Sequence, residues 1–267
     1  MNIRVLALGA GVQSSTLALK AEKGEILRPD FAIFSDIRSE PKRVYEWLDW
    51  LEKQLSYPVY RVSAGSLKET LLYPERFKRI ARIPFYLRMP DGSAGFMARQ
   101  CTRDYKINPI IKKIRDELGL KPKQHIPKGT IVTEIFGISL DEAHRMKPSG
   151  HTWLINEYPL VDERMTRWDC IQWMQRNYGV TPPWSSCTFC PFHDDFTWRE
   201  LQRDDPESFA EAVAVYKSLR EKKPSDLNGI PYLHKSLIPL DEVDFDNAED
   251  KGQGAMFGNE CEGMCGV

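Results

Sequence analysis

The stretch Ile3-Arg-Val-Leu-Ala-Leu8-Gly9-Ala10-Gly11-Val12-Gln13-Ser14-Ser15-Thr16-Leu17-Ala18-Leu19-Lys20 decides the fold class. A short apolar run, three small residues and a helix-forming segment stopped by Gly24 read as strand, tight turn and helix. The same grammar recurs downstream. Phe31-Ala32-Ile33-Phe34 is a second apolar run, closed by Ser35-Asp36. Val44, Trp47, Leu48, Leu51 and Leu55 then recur at the spacing of an amphipathic helix. Residues 59–62 make a third strand. Ile107, Ile110, Ile111, Ile114 and Leu118 give another helical stripe, and the β-branched run at 130–138 a fourth strand. Strands alternating with helices predict an α/β fold, an open parallel sheet covered by helices on both faces.

The C-terminal half is less regular. Thr166-Arg167-Trp168-Asp169 has the form of a capping box, with Asp in place of the usual Glu or Gln, ahead of a helix through Trp173 and Met174. Pro182-Pro183 breaks the chain, and a helix over 206–220 carries Phe209, Val213, Tyr216 and Leu219 on one side. The segment from Asp241 onward is acidic and Gly-rich. No internal repeat is present.

Composition excludes several classes. With 267 residues, 42% hydrophobic and 28% charged, the chain is far from the disordered corner. No run approaches the roughly 18 apolar residues of a membrane span, and the first residues lack the basic start of a secretory signal. A large chain does not need disulfide staples, so the six cysteines predict a cytoplasmic protein with reduced thiols. The net charge of −1 conceals fifteen Lys/Arg against six Asp/Glu between Lys68 and Lys128, and an acidic tail. That basic segment is a candidate surface for phosphates, or a solvated helix face.

Two motifs carry chemistry. In Gly9-Ala10-Gly11-Val12-Gln13-Ser14-Ser15, small residues let backbone N–H groups approach a phosphate at a helix N-terminus, and two hydroxyls add donors. It is neither a Walker A loop nor G-x-G-x-x-G, and a ligand-free turn would look the same. Cys187-Thr-Phe-Cys190-Pro-Phe-His193 supplies one corner of a metal site, a redox dithiol or two unrelated thiols. Cys101, just ahead of a helix in the basic segment, is the candidate distant ligand. Cys170, within an amphipathic helix, reads as a buried core thiol.

Together, the Gly-Ala-Gly-Val-Gln-Ser turn, Ser35-Asp36 followed by Glu40-Pro41, Arg99-x-Cys101-Thr-x-x-x-Lys106-x-x-Pro109, Gly137-Ile-Ser139-Leu-Asp-Glu142-x-x-Arg145 and Cys187-x-x-Cys190-Pro-Phe resemble the phosphoadenosine-phosphosulfate reductase family. That family belongs to the PP-loop ATP pyrophosphatases. The likeness runs in order from about residue 3 to 195, nearest to the DNA phosphorothioation branch and phage-type relatives.

The resemblance implies a five-stranded parallel sheet of adenine-nucleotide α-hydrolase type with a metal-linked C-terminal appendage. Residues 1–165 would be the nucleotide-binding domain and 166–267 the helical, Cys-x-x-Cys and tail region. It implies ATP with Mg²⁺ held by Gly9, Ala10, Gly11, Gln13, Ser14 and Ser15, with Asp36, Ser139, Glu142 and Arg145 lining the same cleft. Arg103 and Lys106 would neutralise phosphate or sulfate. Cys101, Cys187 and Cys190 would hold a [4Fe–4S] cluster, with Cys261 as a fourth ligand and Cys265 as a sulfur nucleophile. Zinc is the alternative, completed by His193. Departures from the family pattern are Gly9, Ala10 and Gln13 where Ser, Gly and Asp are usual, Ser139 where Arg is frequent, and Gln100-Cys101 where iron–sulfur reductases carry Cys-Cys.

Three readings follow. The first is an ATP pyrophosphatase that adenylates DNA or tRNA for sulfur insertion, served by a sulfur donor such as a cysteine desulfurase. The second is a reductase of adenylyl sulfate or its 3′-phosphorylated form with a tail cysteine as nucleophile. The third is a zinc-stabilised module that binds nucleotide or nucleic acid.

Overall fold

The computed structural model describes residues 2–78, 83–222 and 227–245. Five parallel strands form the central sheet: β1 (Asn2–Leu8), β2 (Phe31–Ser35), β3 (Val59–Val62), β6 (Ile131–Phe136) and β7 (Leu154–Glu157), in the order β3-β2-β1-β6-β7. Between them the chain forms β4 (Phe85–Arg88) and β5 (Ala94–Met97). These pair antiparallel and are joined by β8 (Ile230–Tyr232) in a separate three-stranded sheet.

Alternation along the central strands assigns the helices to faces. Leu6 and Leu8 of β1, with Ala32 and Phe34 of β2, pack under α1 (Val12–Glu22), α2 (Lys42–Glu52) and α6 (Arg167–Tyr178). On the opposite face Val5 and Ile33 meet Ile110 and Ile114 of α4 (Asn108–Glu117). Helices thus cover both faces, the arrangement that a buried parallel sheet requires. α1 is buried from Val12 to Ala21, because α6 covers the side that a surface helix would expose. Thr166 and Asp169 make both bonds of the expected capping box, and Gly179 closes α6 at φ 68°.

A second core lies beside the sheet. It gathers Leu67 and Leu71 of α3 (Leu67–Leu72), Phe85 and Leu87 of β4, Trp198 of α7 (Asp195–Asp204), Val215 and Tyr216 of α8 (Pro206–Glu221), and Tyr232 of β8. Here segments from before and after residue 165 share one core. Among the described residues no helix is long and apolar enough to cross a membrane.

The sheet contains one group at odds with its surroundings. Glu134, in the middle of β6, is buried, and burial alone raises its carboxyl to about 8. It therefore stays protonated at neutral pH while the same residue in the unfolded chain is ionised. Between about pH 5 and 8 the native state holds the extra proton, so stability falls as pH rises, by up to about 1.4 kcal/mol per unit from this group. Glu134→Gln should flatten that slope in denaturant titrations across the range; an unchanged slope would place the proton linkage elsewhere.

Candidate functional site

The strand order reverses between β1 and β6, so the connections leaving these neighbours diverge and open a crevice at the carboxyl ends of the sheet. Open α/β sheets bind ligands at such a point. The β1–α1 turn lies there. Ala10 takes φ 57°, a left-handed conformation that costs a non-glycine residue roughly 1–2 kcal/mol, and its methyl is wholly buried. Gly11 is the extended N-cap of α1. The Gly9 N–H donates to Ser14 Oγ at 3.1 Å, and Trp47 Nε1 donates to Ser15 Oγ at 2.9 Å. These bonds fix the turn and orient both serines.

Gln13 is the hub across the crevice. Its side chain, 1% exposed, donates from Nε2 to Glu142 Oε2 at 3.2 Å and Ser139 Oγ at 3.4 Å. Its Oε1 accepts from Arg167 Nη1 at 2.9 Å. Glu142 also pairs with Arg145 at 2.5 Å. The structure brings Gln13, Ser139, Glu142 and Arg145 together, and Arg167, part of the α6 cap, joins them. Ser139 carries no charge, and Arg167 brings a guanidinium to the same crevice from α6.

Asp36 sits at the end of β2, where it accepts from the Arg38 N–H at 2.6 Å and the Tyr45 hydroxyl at 2.8 Å. Burial and the Asp36 charge push the Tyr45 hydroxyl far up, so it remains a donor. In the π-helical turn Arg103–Ile107, Arg103 is exposed whereas Lys106 is buried, 3.6 Å from Glu40 Oε1. The structure brings Lys106 to the site and leaves Arg103 on the surface. Glu40 is the second residue whose position matters more than its motif suggested.

The thiols meet on the far side of Lys106. Cys101, Cys187, Cys190, Arg99, Thr102 and Lys106 line one narrow pocket of about 20 Å³. The hydrogen bond with Cys190, desolvation and the neighbouring charges of Cys190, Cys101 and Glu40 hold the Cys187 thiol well above its ordinary value. A cation bound there would stabilise the Cys187 thiolate. Among the described residues no group of three His, Cys, Asp or Glu side chains is placed to hold one metal ion as they stand. His193 does not line this pocket. Its ring packs between Trp184 and Trp198, Nε2 lies 2.8 Å from Ser186 Oγ, and burial with the Arg43 charge lowers it to about 3, so it is neutral at physiological pH. Cys170 is a core thiol beneath α1, as expected. Cys261 and Cys265 lie outside the described residues.

Three bonds stitch the sheet ends to the cysteine segments. Ser185 Oγ donates to the Gly9 carbonyl, Ser35 Oγ donates to the Tyr105 carbonyl at 2.7 Å, and the Thr188 N–H donates to the Ser39 carbonyl at 2.8 Å. Lys106 lines both the thiol pocket and a small pocket at the strand ends shared with Gly9 and Ser35. Compared with known proteins, the chain matches no family model and no curated sequence.

Gln13→Leu keeps the volume but strips Glu142, Ser139 and Arg167 of a buried partner. Leaving such groups unsatisfied costs about 1–3 kcal/mol each at most. The variant should lose at least about 1 kcal/mol in urea unfolding with an unchanged m-value; wild-type stability would show that the network contributes nothing net.

Proposed function

We propose that this chain is an ATP pyrophosphatase-type enzyme on an adenine-nucleotide α-hydrolase-like sheet with a metal-linked C-terminal appendage, adenylating a nucleic-acid acceptor, DNA or tRNA, for sulfur insertion. One observation carries the reading: Lys106 is shared by the strand-end pocket beside Gly9 and the pocket lined by three thiols. A phosphate-binding turn and a sulfur-rich pocket divided by one buried cation suit a reaction that joins phosphoryl chemistry to sulfur chemistry.

In this reading the backbone of Gly9 to Gly11 and the Ser14 and Ser15 hydroxyls grip the phosphates of ATP with Mg²⁺, aided by the N-terminus of α1. An acceptor oxygen attacks the α-phosphorus, the bond to the β-phosphate breaks and pyrophosphate leaves. Lys106 and Arg167 offset the charge that builds on the phosphoryl oxygens, the kind of preorganised stabilisation that dominates such reactions. A sulfur nucleophile then displaces AMP from the adenylated acceptor. The Gln13 amide in place of a carboxylate spares Glu142 a like-charged neighbour and leaves Arg167 oriented toward the turn.

Cys101, Cys187 and Cys190 would hold a [4Fe–4S] cluster, with Cys261 as the fourth ligand and Cys265 as a sulfur nucleophile. Bound there, the cluster would supply a binding and delivery point for sulfide. Zinc on the same thiols would be structural instead. A cysteine desulfurase is the class of donor that such chemistry needs.

The test is to incubate anaerobically purified protein with α-labelled ATP, with and without single-stranded DNA or tRNA. AMP and pyrophosphate should form in equal amounts, and Lys106→Met should lower kcat by about 10²- to 10³-fold, the usual loss on removing one charge-stabilising donor. Absence of AMP under every condition would overturn the reading. Cys187→Ala should separately abolish iron binding measured by elemental analysis, whereas full iron occupancy in that variant would exclude Cys187 as a ligand.

A further inference from the structure

A groove unconnected with any motif in the sequence runs between α2, the 180–184 segment and α7, has a volume of about 650 Å³ and opens to solvent. Four aromatic rings line it: Trp47 and Trp50 from α2, Trp184, and Phe196 from α7. All four are only partly buried. So much aromatic surface is normally consumed in a core, and the lining of ligand pockets has this mixture of rings with a few fixed polar groups.

The rings are held in place. Trp47 is anchored through its N–H to Ser15, and its ring lies 4.6 Å from that of Trp50. Trp184 donates from Nε1 to Glu200 Oε2 at 2.6 Å, and the Arg43 guanidinium lies 4.2 Å from the Trp184 ring. Glu200 also accepts from both terminal nitrogens of Arg43, at 2.5 and 3.1 Å. One carboxylate thus fixes an indole and a guanidinium plane together, so their ordering entropy is spent before any ligand arrives. Because Arg43 is balanced by Glu200, this wall offers flat π and cation surface without net charge. That suits a planar heteroaromatic ring better than a free anion.

The groove also reaches the phosphate-binding turn. Val12, the first residue of α1, and Arg167, bonded to Gln13, both line it. A ligand with its ring in the groove would have its linked phosphate toward the turn, which describes a nucleotide. Its volume of about 650 Å³ lies within the roughly 300–1,000 Å³ of a ligand pocket, so a base fits.

We infer that this groove stacks a base of the single-stranded nucleic-acid acceptor next to the phosphate-binding turn. The inference rests on the proposed acceptor chemistry but concerns a separate surface, and its test is separate. Stacking of a base on an aromatic side chain is tolerant of sequence and, when lost, weakens binding by about 5- to 100-fold.

The experiment measures fluorescence anisotropy of a labelled single-stranded oligonucleotide of about ten nucleotides, as DNA and as RNA, together with ATP binding by equilibrium dialysis. It uses the full chain and the variants Trp50→Ala and Trp50→Phe. Trp50→Ala should weaken oligonucleotide binding by about 5- to 100-fold, Trp50→Phe should restore most of it, and ATP affinity should stay at the wild-type level. Equal oligonucleotide affinity in all three proteins would overturn the inference, as would no binding by the wild type. A loss of ATP affinity in Trp50→Ala would overturn it differently, assigning the groove to the base of ATP. Trp50-dependent oligonucleotide binding in a protein that forms no AMP would support the groove and overturn the pyrophosphatase reading instead.

Discussion

The buried carboxamide of Gln13 is the contact on which the site depends. It occupies the point where the sheet order reverses, with a carboxylate on one side and a guanidinium on the other. In a place nearly sealed from water, each of those charges needs a fixed partner. A neutral amide can donate to Glu142 and accept from Arg167 at once, which an aspartate in the same place could not do without repelling Glu142. Arg167 reaches this point from a helix that begins more than 150 residues after the turn.

The same corner of the sheet ties distant segments to one another. β1 ends in a carbonyl bonded to Ser185, β2 ends in a serine bonded to the π-helical turn, and the loop after β2 bonds to Thr188 between the paired cysteines. These short bonds bring Cys101 and the Cys187–Cys190 pair to one pocket across more than 80 residues of chain. Strain at Ala10 is the local cost of the tight exit from β1, and it falls where ligand-binding turns commonly store it.

The alternation of strand and helix was legible because parallel strands buried on both faces leave continuous apolar runs, as at Phe31–Ser35. The capping box at Thr166 was legible because it is local. The β4-β5-β8 sheet was not: its strands are three or four residues long, and they contain glycine at Gly95 and proline at Pro231, so no period accumulates. Arg103 and Lys106 look alike in sequence, and only the π-helical turn, which exposes one and buries the other, separates them. Arg167 and the aromatic groove depend on contacts between α1, α2, α6 and the 180–184 segment, and no spacing along the chain encodes such contacts.

Lys106 lines both the pocket beside the β1–α1 turn and the thiol pocket, and the proposed function needs these to be two halves of one site. Titrating ATP into protein reconstituted anaerobically with iron and sulfide, while following visible charge-transfer absorbance, tests the proposal most directly. A saturable spectral change is expected, with a midpoint equal to the ATP dissociation constant, and it should vanish in Lys106→Met. Saturating ATP binding with an unaltered spectrum would contradict it.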